Sequence, residues 1–295
     1  MNGITLTMEA ILRALAFYKY LTVSHILRLG ISKSKDKSRK YFLIMMKEGL
    51  VGRQIHIAVS ESAKKKGMLT RNRQEYLWHL TIVWAKFLDN HTELCLPNIR
   101  FPKKPNRRLK NDYFHRTSTV FMHISFQKRV QKMNSIDDKF LVYYDQMKWT
   151  KKRRFESETR LELEGGKHFS PDVICSYTCK KGTPWIFCLE IYNGNKVHYV
   201  VSQLEKLFWI LDNTKKIENR IGVQSIPYLL VTCENEKLLN KIQNRIRQNR
   251  YFWVEGIEHL LFFNLDINVW EDFEKWWVNI LNKSVQLSQL GSIEI

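Results

Sequence analysis

Two acidic residues, Asp172 and Glu190, are predicted to face each other across a β-hairpin. The residues in 170–177 and 185–191 are mostly apolar, β-branched or aromatic, as in paired strands, and a basic, glycine-containing turn separates them. If the turn is centred on Lys181, residues whose numbers sum to 362 pair with one another. Asp172 then lies opposite Glu190, with Cβ atoms roughly 5 Å apart.

Paired carboxylates in otherwise apolar strands repel each other unless something compensates their charge. Mg²⁺ or Mn²⁺ would do so, since such ions are held by one or two protein carboxylates together with water and phosphate oxygens. The pair therefore predicts metal-dependent phosphodiester chemistry, with Asp145 as a candidate third ligand from an earlier strand. In the alternative interpretation, Asp172 caps a turn after Pro171, and a one-residue shift of the turn moves Glu190 to the other face.

The positive charge of the chain is concentrated at its beginning. The 295 residues carry a formal net charge of +19, and residues 1–110 hold 22 Lys and Arg against 7 Asp and Glu. This asymmetry predicts an N-terminal module that binds a polyanion, with duplex nucleic acid expected and an acidic membrane surface as the alternative. The sequence lacks both a membrane-spanning apolar run and a signal peptide, so we expect no membrane partner and residence where the protein is made. Five scattered cysteines predict reduced core thiols.

A winged helix is predicted over residues 1–96. Helical periodicity predicts three helices, and the third carries basic residues in its first half and Tyr41, Leu43, Ile44 and Met45 towards its packed end. Two strands around a basic loop follow, an order in which the third helix enters the major groove and the loop contacts the backbone. The predicted helices are Met8–Tyr20, Thr22–Gly30 and Ser34–Glu48, and the predicted strands are Val51–Val59 and Glu75–Leu80.

The candidate DNA-binding residues are basic side chains of the third helix, the loop and a proline-rich linker over residues 97–111. Lys and Arg neutralise phosphates and release counterions, which makes such binding sensitive to salt. These residues are Lys33, Lys35, Lys37, Arg39, Lys40, Lys64, Lys65, Lys66, Arg71, Arg73, Lys103, Lys104, Arg107 and Arg108.

Residues 112–295 are predicted to form a second domain of the α/β (α+β) class, with a mixed sheet flanked by helices. A helix and a strand precede the hairpin. A helix, a strand, a helix, a strand and a helix follow it. Besides the hairpin, the predicted elements of this domain are a helix at His115–Val130, one strand over residues 140–149, a helix at Val200–Leu211, a strand at Pro227–Thr232, a helix at Lys237–Gln248, a strand at Leu260–Phe263 and a closing helix at Trp270–Leu281.

The hairpin acids resemble the motif of PD-(D/E)XK nucleases, and the whole chain resembles the replication-relaxation family, which includes plasmid mobilisation relaxases. The matching segments, spread over nearly the full length, are Glu48–Val51, a helix led by His115, Ser170–Asp172, Leu189–Tyr192 and Glu205–Leu207. The resemblance implies a winged helix before a restriction-endonuclease-like domain. It also implies Mg²⁺- or Mn²⁺-dependent nicking at the origin or end of a mobile element, in the bacterial cytoplasm, alongside other transfer or replication proteins.

The chain departs from the nuclease pattern, which has a lysine two residues after the second acid, where Tyr192 stands here. Lys206 and Lys196 are candidate substitutes for that lysine, although helical spacing places Lys206 opposite the apolar face of its helix. Three alternatives remain open. The domain is a degenerate recognition factor that recruits replication, transfer or transposition proteins, Tyr192 is itself a nucleophile, or the chain is a ligand-sensing transcriptional regulator.

Overall fold

The computed structural model of the protein divides into two compact units, Met1–Phe121 and Met122–Ile295, and the division falls inside a long helix. Each unit is described by itself. The structure describes residues 4–54, 75–85, 113–135, 137–143, 146–149, 155–162, 168–178, 182, 184–192, 197–211, 214–222, 224–249, 252 and 259–287.

Three helices open the first unit, and each begins at a hydroxyl cap. The side chains of Thr5, Thr22 and Ser34 accept hydrogen bonds from backbone N–H groups in the first turns of their helices. His25 completes a capping box at the second helix, because its Nδ1 accepts the Thr22 N–H at 2.9 Å. The helices are α1 (Leu6–Tyr18), α2 (Val23–Arg28) and α3 (Lys35–Lys47).

A two-stranded antiparallel sheet follows α3 and pairs β1 (Val51–Gln54) with β2 (Leu77–Leu80). It packs on α3 through Phe42, whose ring stacks on Trp78 at a centroid distance of 4.5 Å. Gly52 is required here, since a Cβ at that position would lie 2.6 Å from the His79 ring. The predicted basic loop between the strands and the linker over residues 97–111 lie outside the described residues.

The long helix, α4 (Tyr113–Met133), contributes its first half to the first unit and its second half to the second. In the first unit, His25 Nε2 lies 3.2 Å from the carbonyl oxygen of Thr117. The buried His25 ring also packs edge-on against Phe121, with centroids 4.2 Å apart. Burial lowers the pKa of His25 to about 3, so the ring is neutral and serves as a structural link.

A seven-stranded mixed sheet forms the centre of the second unit. The strand order is β13-β12-β11-β10-β9-β8-β3, and the three adjacent strands β9, β10 and β11 run parallel. These strands are β3 (Asp138–Val142), β8 (Val173–Thr178), β9 (Pro184–Tyr192), β10 (Pro227–Cys233), β11 (Leu261–Leu265), β12 (Trp277–Asn279) and β13 (Ser284–Val285). The strands β4 (Gln146–Trp149), β5 (Phe155–Ser157), β6 (Leu161–Glu162) and β7 (His168–Phe169) form two separate two-stranded sheets.

Helices cover both faces of the central sheet, which gives the mixed α/β fold expected from the sequence. Apolar side chains of α5 (Val197–Leu211), α6 (Thr214–Ile221) and α7 (Glu236–Gln248) pack on one face. The second half of α4 and the segment beginning at α8 (Asp266–Glu271) pack on the other. No helix within the described ranges is long and apolar enough to cross a lipid bilayer.

Two element predictions were wrong. The single strand predicted over residues 140–149 is divided between β3 and β4, which belong to different sheets. The closing helix predicted over 270–281 ends at Glu271 and is followed by β12. Trp277 is fully buried in the sheet instead, and the chain turns after β12, where Asn279 Oδ1 accepts the N–H groups of Leu281 and Lys283 at 3.0 Å.

Candidate active site

The hairpin of β8 and β9 has the register expected from a turn centred on Lys181. Val173 pairs with Leu189 and Thr178 with Pro184. One position further, Asp172 lies opposite Glu190, just before β8 begins. Apolar residues flank this position on both strands, so the two carboxyl groups meet at an otherwise hydrophobic end of the hairpin.

Asp172 is held in place by two backbone hydrogen bonds. Its Oδ2 accepts the N–H of Ile191 at 2.8 Å, and its carbonyl oxygen accepts the N–H of Tyr143 at 3.0 Å. Asp172 therefore has a structural role across the hairpin, and the same bonds fix its carboxylate beside Glu190. An acidic side chain tied to the backbone is oriented before any ligand arrives.

Glu190 is 5% exposed and lies on the sheet face covered by α5 and α7, which it shares with Cys188. Burial, the charge of Asp172 and a hydrogen bond between the two side chains raise the pKa of Glu190 well above its usual range. Burial also raises the pKa of Cys188, with a smaller contribution from Glu190. Glu190 Oε1 is buried and has no hydrogen-bond partner within the described residues.

Lys206 is close enough to the acidic pair for its charge to lower the pKa of Glu190, against the effects of burial and Asp172. The side chain is half-buried on α5, whose residues Leu204 and Phe208 pack in the core. Helical spacing alone placed Lys206 opposite that apolar face, but a long flexible stem lets an ammonium group reach around a helix. A cationic side chain therefore acts on the Glu190 carboxyl group.

Tyr192 occupies the position at which the nuclease pattern has a lysine. It is 7% exposed and belongs to the apolar cluster that includes Val200, Leu204 and Cys233. Its carbonyl oxygen accepts the N–H of Glu234 at 3.1 Å. This packed environment favours a core role for the ring over that of a nucleophile.

Several candidates fall elsewhere. Asp145 and Lys196 lie outside the described residues. His123, on α4, stacks on Phe140 with ring centroids 3.9 Å apart, which is a packing contact. Over the part of the chain that the structure describes, no group of three or more His, Cys, Asp and Glu side chains is positioned to hold a metal ion.

The basic residues predicted to bind DNA are exposed wherever the structure describes them. Arg39 forms an exposed ion pair with Asp36 at 3.2 Å. These exposed residues are Lys33, Lys35, Lys37, Arg39 and Lys40, all on α3 or just before it. The remaining nine candidates, in residues 64–73 and 103–108, lie outside the described ranges.

Two residues of α3 lie on a different face from the one predicted. Leu43 and Ile44 were assigned to its packed end, but they are 49% and 39% exposed. Phe42 and Met45 are the buried residues of that turn. Helical spacing from Ser38, which is also buried, would have identified the packed face.

No protein-family model, curated protein or solved structure matches this chain. The geometry and the charge of the chain itself are therefore the guide to its function.

Proposed function

We propose that this protein binds duplex DNA through its first unit and cleaves one DNA strand at a divalent-cation site formed by Asp172 and Glu190. The observation that carries the proposal is the convergence of two carboxyl groups, on opposed strands of an apolar hairpin, within the electrostatic reach of Lys206. Such a combination is costly for folding and is typical of functional sites.

The residues of the site fit a cation such as Mg²⁺ or Mn²⁺. Glu190 Oε1 is a buried acceptor without a hydrogen-bond partner among the described residues, and the Asp172 side chain lies within hydrogen-bond distance of Glu190. A protein usually provides one or two carboxylates to such a cation, and water and phosphate oxygens provide the other ligands. Two carboxyl side chains agree with that number. A divalent cation bound there supplies charge neutralisation at a phosphodiester and activation of a water molecule.

The remaining roles belong to side chains of this protein. The Ile191 N–H keeps the Asp172 carboxylate pointed across the strand end. Lys206 places a positive charge beside the pair, where it would stabilise the negative charge that develops on a phosphate during cleavage. Lys206 would thus supply the positive charge that nucleases of this pattern supply with a lysine at the position where Tyr192 stands here.

The order of elements supports this assignment. Apart from β4–β7 and α6, which lie between them, the elements follow one another as α4, β3, β8, β9, α5 and β10, with β9 parallel to β10. This order agrees with the PD-(D/E)XK fold that the motif resembles. In the first unit, three helices followed by a two-stranded antiparallel sheet support a winged helix. With the resemblance to replication-relaxation proteins, these features favour nicking at the origin or end of a mobile element.

The proposal is tested by nicking of a supercoiled plasmid in the presence of Mn²⁺. The plasmid carries the origin or end of the mobile element that encodes the protein. The wild-type protein should produce open circles, and Glu190→Gln should lower the rate by several orders of magnitude because a metal ligand is lost. Tyr192→Phe keeps the packed ring and should stay within about tenfold of the wild-type rate. Glu162→Gln, which makes the same change at an exposed carboxyl of the same unit, is the matched control.

A covalent DNA adduct on Tyr192 would overturn this mechanism. Equal nicking by wild type and Glu190→Gln would remove Glu190 from it.

A second candidate function is DNA recognition without cleavage. It is favoured by the packed tyrosine at the lysine position and by the near-complete burial of Glu190, which restricts access to the carboxylate. In that case the protein should bind its DNA specifically, and no divalent cation should produce open circles. The protein would then act by recruiting other replication, transfer or transposition proteins.

A further inference from the structure

Helix α3 exposes two neighbouring aliphatic side chains at the centre of its solvent face. Leu43 and Ile44 are 49% and 39% exposed. Lys40 and Lys47 lie one turn before and one turn after them, and both are exposed. At 3.6 residues per turn, Leu43 and Ile44 flank the line that joins the two lysines. The solvent face of α3 is therefore an apolar pair between two cations.

The charge around this pair indicates what it contacts. The helix contains five Lys and Arg residues and a single acid, Asp36. Such a helix repels other basic surfaces and attracts a polyanion. Duplex DNA fits this arrangement, because its phosphate strands border a groove wide enough for an α-helix.

The floor of the major groove offers mainly hydrogen-bond donors and acceptors, which aliphatic side chains cannot satisfy. The 5-methyl group of thymine is the apolar feature that they can contact. We propose that Leu43 and Ile44 are specificity-determining residues that contact thymine methyl groups in the major groove. This inference rests on the proposed DNA-binding function. It adds to that function a preference for thymine at the base pairs that the third turn of α3 contacts.

The test compares binding of the full chain to two duplexes, poly(dA-dT) and poly(dA-dU), whose bases differ only in the 5-methyl group. Burial of one methyl group corresponds to about a fourfold change in affinity. The wild-type protein should therefore bind the uracil duplex at least about fourfold more weakly. The double variant Leu43→Ala/Ile44→Ala, which keeps a strong helix former at exposed positions, should bind both duplexes nearly equally.

Ile267→Ala is the matched control, because Ile267 is 52% exposed on a helix of the other unit. Its preference for the thymine duplex should equal that of the wild type. Circular dichroism of each variant checks that the helices are intact.

The outcomes separate this inference from the proposed function. Salt-sensitive binding of the wild type to both duplexes with equal affinity would overturn thymine recognition and leave DNA binding intact. Failure to bind either duplex at low salt would overturn DNA binding itself. If the double variant keeps the thymine preference but loses self-association in sedimentation, the apolar pair is a contact between copies of the chain, and the inference is wrong.

Discussion

Glu190 carries a stability penalty that depends on pH. Its pKa is raised in the folded protein, first by burial and then by Asp172. An unfolded glutamate has a pKa of about 4.3, so above that value the folded state binds more protons than the unfolded state. Without a divalent cation, the protonated Glu190 side chain therefore contributes to stability at low pH. That contribution is lost as the pH rises through the pKa of Glu190 in the folded protein, because the carboxylate that forms there is buried beside Asp172.

Glu190→Gln should remove this loss. In EDTA, the melting temperature of the wild type should fall between pH 5.5 and pH 8.5, and that of the variant should fall less. At pH 8.5 the variant should be the more stable protein, because it has no carboxyl group to ionise at a site where burial and Asp172 disfavour the charged form. Glu162→Gln, at an exposed carboxyl, should follow the wild type. Parallel profiles for the wild type and Glu190→Gln would show that Glu190 does not carry the penalty.

At the scale of elements, an ion pair between Arg129 and Glu274 joins α4 to the segment after α8. Both side chains are largely shielded from water. Burial raises the pKa of Glu274, and Arg129 opposes that rise. The ion pair stabilises the fold mainly by compensation, since removing either partner would leave a shielded charge without a counter-charge.

Arg129→Met should destabilise the protein by about 3 kcal/mol at pH 7, because it leaves an uncompensated buried carboxylate. The double variant Arg129→Met/Glu274→Met should recover most of this loss, since apolar side chains of similar size replace the pair. Urea unfolding of the three proteins measures both effects. A double variant as unstable as the single one would mean that packing by the Arg129 side chain, and not its charge, is what α4 requires.

Local signals in the sequence predicted much of the architecture. The turn around Lys181 and the alternating strands on either side fixed the register that brings Asp172 to Glu190. Thr22 and Ser34 marked the starts of α2 and α3 through hydrogen bonds to nearby N–H groups. These features depend on neighbours a few residues away, which is why the sequence reveals them.

Features set by distant contacts could not be predicted in this way. The apolar spacing over 270–281 fits a helix, yet Trp277 pairs with Val285 and is buried in the sheet. Similarly, the influence of Lys206 on Glu190 depends on how α5 crosses the sheet, and helical spacing alone does not define that crossing. Tertiary packing overrides local pattern in both cases.

At the scale of the whole molecule, charge and chemistry are segregated along the chain. The first 110 residues hold most of the excess positive charge, with 22 Lys and Arg against 7 Asp and Glu. The paired acids lie in the nearly balanced remainder. This separation agrees with a chain that recognises a polyanion in one unit and acts on it in the other. The central claim is that Asp172 and Glu190 together hold a divalent cation.

Titration of the full chain with Mn²⁺, followed by the electron paramagnetic resonance signal of the free ion, tests that claim most directly. The wild type should bind about one Mn²⁺, more tightly at pH 8 than at pH 6, because the bound carboxyl groups must lose their protons. Asp172→Asn and Glu190→Gln should abolish this binding, and Glu162→Gln, at an exposed carboxyl, should preserve it. Absence of Mn²⁺ binding by the wild type, or unchanged binding by Glu190→Gln, would contradict the account.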